Sequence, residues 1–241
     1  MKKPVVISVT NNKGGVGKTT ASVHIAAAMA KYHKKPVLLI DFDTQANATQ
    51  SLIGDAEIES DAGILTVLAD DDTGLHNVYK ETNIENLFLI PNEMKIDGRK
   101  ITVNKILGFD MDPNNVLKRK LETDFIHNFS YVIIDCSPSI DVDVVNALIA
   151  SDFYIIPTTA DDLSIMGIGE ILSFGSEVSK INKDLNLLGI FLNEVNKSHK
   201  KTKIGREIIN DAVGDLKFKT EISSFVKFSN LPSKQQTIFD I

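Results

Sequence analysis

A glycine-rich stretch with two lysines follows the first apolar run of the chain, Val5–Val9. It reads Asn11-Asn12-Lys13-Gly14-Gly15-Val16-Gly17-Lys18-Thr19-Thr20. Successive backbone N–H groups in such a loop point inward and bind phosphate oxygens together with the N-terminus of a following helix. Lys18 can reach the β- and γ-phosphates of a nucleotide, and the Thr19 hydroxyl can ligate Mg²⁺. The spacing predicts a phosphate-binding loop between a strand and a helix that includes residues 21–30.

Two aspartates stand at the end of the second apolar run. Asp41 and Asp43 follow residues 37–40 and are separated by one apolar residue. At a strand end, residues two apart can lie on the same side of the pleat. A carboxylate near the γ-phosphate can orient an attacking water while metal and lysines neutralise the developing charge. This pair is therefore a candidate for work on the terminal phosphate.

A third aspartate ends another apolar run. Residues 131–134 are apolar and Asp135 follows directly, which is the form of a strand whose carboxylate holds Mg²⁺ or a water bound to it. Cys136, the single cysteine of the chain, excludes an internal disulfide framework. An iron–sulfur site would need two cysteines from each subunit, so we interpret Cys136 as a small apolar core residue.

Short apolar runs at 5–9, 37–40, 87–90, 131–134, 153–156 and 187–192 alternate with helical stretches. Such runs suit strands buried on both faces. The 241 residues, 43% hydrophobic and 24% charged, are enough for one large domain. We predict an α/β fold, a single domain over residues 1–241, with a mostly parallel twisted sheet and helices on both faces. The loops after the strands should then meet at one edge.

The string from Lys13 to Thr20 resembles the deviant phosphate loop of the ParA/MinD family of ATPases, because Asn12 replaces the usual glycine and a second lysine precedes Gly14. The resemblance implies a P-loop NTPase fold, ATP and Mg²⁺ as cofactors, and Lys13 reaching the nucleotide of a partner subunit. It also implies catalytic roles for Lys13, Lys18 and Asp43. Nucleotide-binding residues would be Lys13, Gly14, Gly15, Val16, Gly17, Lys18, Thr19, Thr20, Asn193 and Pro232, and metal-binding residues Thr19, Asp41 and Asp135.

Within that resemblance, Asn193 would read the adenine amino group, Pro232 would lie in the loop that covers the base, and residues 156–167 would start an interface helix. The chain departs from the family pattern at three loop positions. Thr44 stands where proline is usual, Ala46 where glycine is usual, and Ser137 where the first of two prolines is usual. The changes at positions 44 and 46 keep the acid pair and are expected to alter the stiffness of its loop.

The net charge of −6 argues against general attraction to nucleic acid, but one local segment is basic. We interpret it, with one later lysine, as a candidate surface for phosphate backbones. Its residues are Lys197, Lys200, Lys201, Lys203, Arg206 and Lys227.

The segment from Gln45 to Thr49 favours the ParA branch of the family, and the chain shows no C-terminal amphipathic membrane helix of the MinD kind. The resemblance implies a cytoplasmic, nucleoid-associated partition ATPase without an N-terminal DNA-reading domain. It would form an ATP-bound homodimer on non-specific double-stranded DNA and respond to a ParB-type centromere-binding protein, with no membrane partner. Two alternatives stay open: a related ATPase that positions a protein cargo, and a ligase of the dethiobiotin-synthetase kind, against which Lys13 speaks.

Overall fold

The computed structural model of the protein describes residues 2–54, 62–93, 95–96, 99–100, 102–108, 110–196, 200–225 and 231–240. Its strands are β1 (Val5–Val9), β2 (Val37–Asp41), β3 (Lys80–Glu81), β4 (Leu87–Ile90), β5 (Lys95–Ile96), β6 (Arg99–Lys100), β7 (Tyr131–Asp135), β8 (Phe153–Thr158) and β9 (Asn186–Leu192). Its helices are α1 (Lys18–His33), α2 (Asn47–Ile53), α3 (Ile64–Ala69), α4 (Leu75–Val78), α5 (Val103–Leu107), α6 (Val116–Leu121), α7 (Val142–Ile149), α8 (Asp162–Ile181) and α9 (Lys200–Val213).

Among the described residues, seven strands form one sheet in the order β3-β4-β2-β7-β1-β8-β9. All its pairings are parallel except that of β3 with β4. The strands β2, β7 and β1 are therefore neighbours, and their carboxyl ends lie side by side. This places the two predicted acidic motifs next to the glycine-rich loop.

Side chains of each central strand alternate between two apolar clusters. Val6 and Leu38 pack on the face covered by α3, α5, α7 and α8. Ile7 and Leu39 pack on the opposite face, against α1. Alternation along a strand sends neighbours to opposite faces, so apolar runs fill both cores. The predicted mostly parallel sheet with helices on both faces is confirmed.

Three strands of the sheet, β2, β7 and β8, extend beyond the predicted runs at their carboxyl ends. Asp41 and Asp135 are the last residues of β2 and β7, and they are paired with each other in the register of the sheet. The backbone N–H of Phe42 still donates to Asp135 O at 3.0 Å. The backbone of both aspartates is thus positioned by the sheet itself rather than by a following loop.

Two features have no counterpart in the sequence interpretation. The polar strand Lys80–Glu81 adds an antiparallel edge beside β4. The strands β5 and β6 form a separate antiparallel pair. Among the described residues, no helix has the length and apolar character needed to cross a membrane.

Candidate functional site

The glycine-rich loop joins β1 to α1 and ends at Gly17, the N-cap of the helix. Gly15 and Gly17 have φ angles of 75° and 86°, a region that disfavours residues with a Cβ atom. No side chain caps this helix, so its first backbone N–H groups are available for another acceptor. A phosphate fits that position because the helix dipole and the N–H groups both favour an anion.

Two asparagines hold the loop against the sheet. Asn11 Nδ2 donates to Pro157 O at 2.7 Å, and its Oδ1 accepts from the Lys13 N–H at 3.0 Å. Asn193 Nδ2 donates to Val16 O at 2.9 Å. A Cβ atom on Gly17 would stand 2.1 Å from Asn193 Nδ2, so this close approach also requires glycine.

Lys18 is enclosed by the glycine-rich loop. Its side chain is buried and its Nζ donates to Lys13 O at 2.9 Å. Burial lowers the pKa of Lys18, while the nearby carboxylates of Asp135 and Asp43 act in the opposite direction. The ammonium therefore lies between the loop carbonyl and the acidic strand ends, where a phosphate group can compete for it.

The Asp41 carboxylate is occupied by contacts within the protein. Its Oδ2 accepts from both the backbone N–H and the Oγ1 of Thr49, at 2.7 Å each. Burial is the main cause that raises the pKa of Asp41, and repulsion from Asp135 adds to it. The structure thus shows Asp41 fixing the start of α2. Its predicted support of the metal shell stays a prediction.

The Asp135 carboxylate has one oxygen left over. Ser22 Oγ donates to Oδ1 at 2.8 Å, whereas Oδ2 is buried and has no hydrogen-bond partner in the part of the chain described. Burial raises the pKa of Asp135, while the Ser22 hydrogen bond and the nearby Thr19 hydroxyl act to lower it. An orphaned carboxylate oxygen beside a threonine hydroxyl fits a Mg²⁺ ion or its bound water.

No group of three or more His, Cys, Asp or Glu side chains suited to a metal occurs among the described residues. That agrees with Mg²⁺, which takes one or two protein carboxylates and completes its shell with phosphate oxygens and water. The residues present, Thr19 and Asp135, fit such a shared site better than an all-protein metal cage.

Asp43 lies beside Lys18 and is 6% exposed. Its Oδ1 accepts from the Gln45 N–H at 2.9 Å. Burial raises the pKa of Asp43, and the Gln45 hydrogen bond and the Lys18 charge lower it. Sequence reasoning missed Asn92, which follows β4 and donates from Nδ2 to Asp43 O at 3.0 Å. Asn92 thereby fixes the backbone of the acid pair.

Lys13 is held within its own chain by an acidic residue after β8. Its Nζ lies 2.5 Å from Asp161 Oδ1, and Asp161 also accepts a short hydrogen bond from Thr159 Oγ1. The two side chains of the ion pair are 29% and 47% exposed, so the pair stands at the open surface of the site. The predicted start of a helix in this region is confirmed as α8.

Comparison with known proteins identifies the family of this chain. A family model described as an AAA domain matches residues 4–187. The sporulation initiation inhibitor protein Soj of Bacillus subtilis is 35% identical over 97% of this chain and 89% of that protein. A ParA family protein of Chlamydia muridarum is 31% identical over 97% and 89%. The chain belongs to the ParA/MinD family of ATPases.

A solved structure resembles this ParA-type chain as a whole. A putative plasmid partition protein from Borrelia burgdorferi, bound to AMPPNP, aligns with a TM-score of 0.81 and 27% identity, covering 97% of this chain and 91% of that one. The overall fold is therefore shared with a nucleotide-bound relative.

The two residues predicted to contact adenine line different cavities beside the first turns of α1. Asn193 binds the loop carbonyl, as described, and is 7% exposed. Pro232 lines a cavity of about 280 Å³ with Thr19, Thr20 and Asn47. The structure brings Pro232 and Thr20 to one cavity and leaves Asn193 outside its lining. Both adenine contacts stay predictions.

The segment that carries Pro232 is fastened to α1. His24 Nδ1 lies 2.7 Å from Thr20 O, and its Nε2 accepts from the Ile238 N–H at 3.1 Å. Burial lowers the pKa of His24, which favours the neutral ring with Nδ1 as donor. Lys31 Nζ donates to Phe239 O at 2.6 Å.

The predicted basic surface is only partly within the described residues. Lys197 and Lys227 lie outside them, as do the side chains of Lys200 and Lys201. Lys203 is exposed on α9. Arg206 is paired with Glu221, NH2 to Oε2 at 2.8 Å, so part of its charge is neutralised within the chain. The DNA-binding residues stay predictions.

Proposed function

We propose that this chain is an ATP-dependent DNA-partition ATPase that uses ATP and Mg²⁺. Its ATP-bound homodimer binds double-stranded DNA without sequence preference and leaves it when a ParB-type partner stimulates an otherwise slow hydrolysis. The protein would then be cytoplasmic and associated with the nucleoid. The proposal is supported by 35% identity to Soj and by the lysine that precedes the glycine loop.

The residues of the glycine-rich loop and of the neighbouring strand ends have different roles toward the nucleotide. The N–H groups from Gly14 to Thr20 bind phosphate oxygens, and Lys18 neutralises charge on the terminal phosphates. Thr19 and Asp135 would hold Mg²⁺, which supplies electrostatic stabilisation of the transferring phosphoryl group. Asp43 orients the attacking water, and its burial keeps competing water away from the carboxylate.

Lys13 carries the dimer proposal. Its ammonium is at the open surface and is held by the exposed carboxylate of Asp161. An exposed ion pair contributes only about 0–1 kcal/mol to stability. Lys13 can therefore exchange Asp161 for a phosphate of the nucleotide bound to a second subunit at little cost in free energy. Because dimerisation doubles the phosphate contacts made to one DNA duplex, the dimer should bind DNA far more tightly than the monomer.

The test measures binding to random-sequence duplex DNA at moderate salt, with ATP·Mg²⁺ or with ADP. Wild type should bind only with ATP·Mg²⁺, and Lys13→Ala should lose that binding. Lys180→Ala is the matched control, since it removes an equally positive side chain that is 63% exposed on α8. Equal binding with ATP and ADP, or full binding by Lys13→Ala, would contradict the proposal.

A second candidate function, the positioning of a protein cargo, is favoured by the net charge of −6 and by the pairing of Arg206 with Glu221. Both weaken attraction to DNA phosphates. ATP-dependent dimerisation without DNA binding in any nucleotide state would favour it. Turnover of a small carboxylate substrate would instead indicate the ligase reaction.

A further inference from the structure

The loop between β7 and α7 contains a cluster of two serines and an aspartate. Ser137 Oγ donates a short hydrogen bond to Asp143 Oδ2, and Ser139 Oγ donates to Asp143 Oδ1 at 3.1 Å. The two hydroxyl oxygens lie 2.8 Å apart. Because a hydroxyl has one proton, Ser139 can donate either to Ser137 or to the carboxylate, but not to both at once. The contact of Ser137 with Asp143 is therefore the anchor of this cluster.

The contact between Ser137 and Asp143 is closed off from solvent, whereas Ser139 and the loop around it are more exposed. Asp143 is 1% exposed and Ser137 is 6% exposed. The neighbouring Ile140 is 44% exposed. A carboxylate buried to this degree is retained only where donors satisfy it, since an unpaired buried charge is strongly unfavourable. The hydroxyls of the loop are such donors, beside the Val144 N–H, which donates to Oδ1 at 2.8 Å. The carboxylate and the loop conformation therefore depend on each other.

This loop begins at the residue that fits Mg²⁺ and passes beside the water-positioning carboxylate. Asp135 lies two residues before Ser137 in the chain. The pKa of Asp43 is raised first by its burial and, to a smaller extent, by the negative charge of Asp143. The charge of Asp143 therefore acts on Asp43, and Ser137 follows Asp135 closely in the chain.

We propose that Asp143 is a positioning residue for ATP hydrolysis, which holds the loop after Asp135 in place through the Ser137 hydroxyl. The proline usual at position 137 in the family would restrict the chain by its fixed φ. Here a buried hydrogen bond takes over that restriction. This proposal rests on the ATPase reaction proposed above.

Three substitutions separate position from charge. Asp143→Leu removes both acceptors and leaves an apolar side chain in their place. Asp143→Asn removes the charge but keeps an acceptor and adds a donor that can meet the serine hydroxyls. Ser137→Ala removes the anchor from the other side. The matched control is Asn182→Leu, a buried polar residue that binds Leu148 O at the far end of α7.

The solvent exposure of the loop can be measured by fluorescence in the absence of ATP. Because the chain has no tryptophan, one introduced tryptophan reports on the loop alone. Ile140→Trp places a single tryptophan at an exposed position of the loop. In that background, Asp143→Leu and Ser137→Ala should increase quenching by acrylamide, whereas Asp143→Asn and Asn182→Leu should not. Unchanged quenching in a folded Asp143→Leu protein would overturn the proposal.

Steady-state kinetics then connect the loop to hydrolysis. Asp143→Leu should lower kcat about tenfold with little change in KM for ATP, because misplacement affects the reacting geometry and leaves the phosphate loop intact. Asp143→Asn should restore most of kcat. In a double-mutant cycle, Ser137→Ala should add little to Asp143→Leu, since both break the same contact.

The outcomes distinguish this inference from the proposed function. Equal losses of kcat in Asp143→Asn and Asp143→Leu would mean that charge matters rather than position, and would overturn the inference. So would a looser loop with unchanged kcat. A wild type that hydrolyses no ATP, with the loop loosened by Asp143→Leu, would instead refute the proposed reaction and leave the hold of Asp143 on the loop established.

Discussion

At the amino ends of the strands, the buried Asn182 and the half-buried Asp152 both have hydrogen-bond partners. Asn182 Nδ2 donates to Leu148 O at 3.1 Å and to Ser151 O at 2.7 Å, and Asp152 Oδ2 accepts from the Val6 N–H at 2.8 Å. At the carboxyl ends, four buried side-chain atoms have no partner among the described residues. They are Thr10 Oγ1, Asn12 Oδ1, Asp135 Oδ2 and Thr158 Oγ1.

The difference shows how the same sheet serves two purposes. An unpaired buried polar atom lowers stability by about 1–3 kcal/mol, so a cluster of them at one end needs a reason. A phosphate group and a metal ion would give these atoms partners when bound. The polar groups described at the amino ends are instead satisfied by internal hydrogen bonds. Substitutions at the two ends should therefore separate activity from stability.

The largest effect is expected at Asp135. Asp135→Asn should lower kcat/KM for ATP on the order of 100-fold, because the metal loses an anionic oxygen. The free energy of unfolding without nucleotide should stay the same or rise, since a buried charge with an unpaired oxygen is removed. Titration of the rate with Mg²⁺ and chemical denaturation measure the two quantities. A variant that loses stability and keeps its rate would reverse the assignment of this end.

The complementary substitution is Asn182→Ala at the amino end. It removes the side-chain donor to Ser151 O and one of the two donors to Leu148 O, which also accepts from the Ser151 N–H. It should reduce the free energy of unfolding by about 2 kcal/mol. The rate of hydrolysis per folded molecule should not change, because no atom near the phosphate loop is involved. Urea denaturation with single-turnover kinetics on the same preparation checks both statements. A large drop in rate would mean that the two ends are coupled.

Thr49 sharpens the comparison because it stands at the carboxyl end and yet is fully paired. Its Oγ1 donates to Asp41 Oδ2 and accepts from the Asn92 N–H. Thr49→Val should lower the free energy of unfolding by about 1.5 kcal/mol through the loss of the hydroxyl. Its rate should fall far less than that of Asp135→Asn. A loss of rate as large as that of Asp135→Asn would show that Asp41 acts in the metal shell, as the family resemblance implies.

The pairing of Asp41 with Asp135 also shows what a sequence reveals about this fold. Continuous apolar runs predicted the central strands, because burial on both faces leaves no room for polar residues. The same logic placed both aspartates at one edge. The strand Lys80–Glu81 could not be found this way, since it is short, polar and held by a neighbour.

The site was predictable where a local string carries the chemistry. The glycine loop binds phosphate through its own backbone, so its sequence suffices. Asn92 and Asp143 were missed because their roles depend on partners 49 and 6 residues away, which no spacing rule specifies. Asn193 was assigned to adenine, yet its amide binds the loop carbonyl in this structure. Contacts made by folding over long distances need the coordinates.

The smallest effect is expected at Thr158, where a substitution tests whether an unpaired hydroxyl binds ligand or is a packing defect. Thr158 ends β8, is fully buried, and its Oγ1 has no partner in the described part of the chain. Thr158→Val keeps the shape and should raise the free energy of unfolding without nucleotide by about 1 kcal/mol. If the hydroxyl gains a partner when ligand binds, this stabilisation should shrink in ATP·Mg²⁺. Thermal unfolding with and without ATP·Mg²⁺ measures the difference, with Asn182→Ala as the variant whose effect should be equal in both conditions. Equal stabilisation of Thr158→Val in both conditions would mean that the unpaired hydroxyl is a packing defect. The unpaired polar atoms at the carboxyl ends would then not be explained by ligand binding.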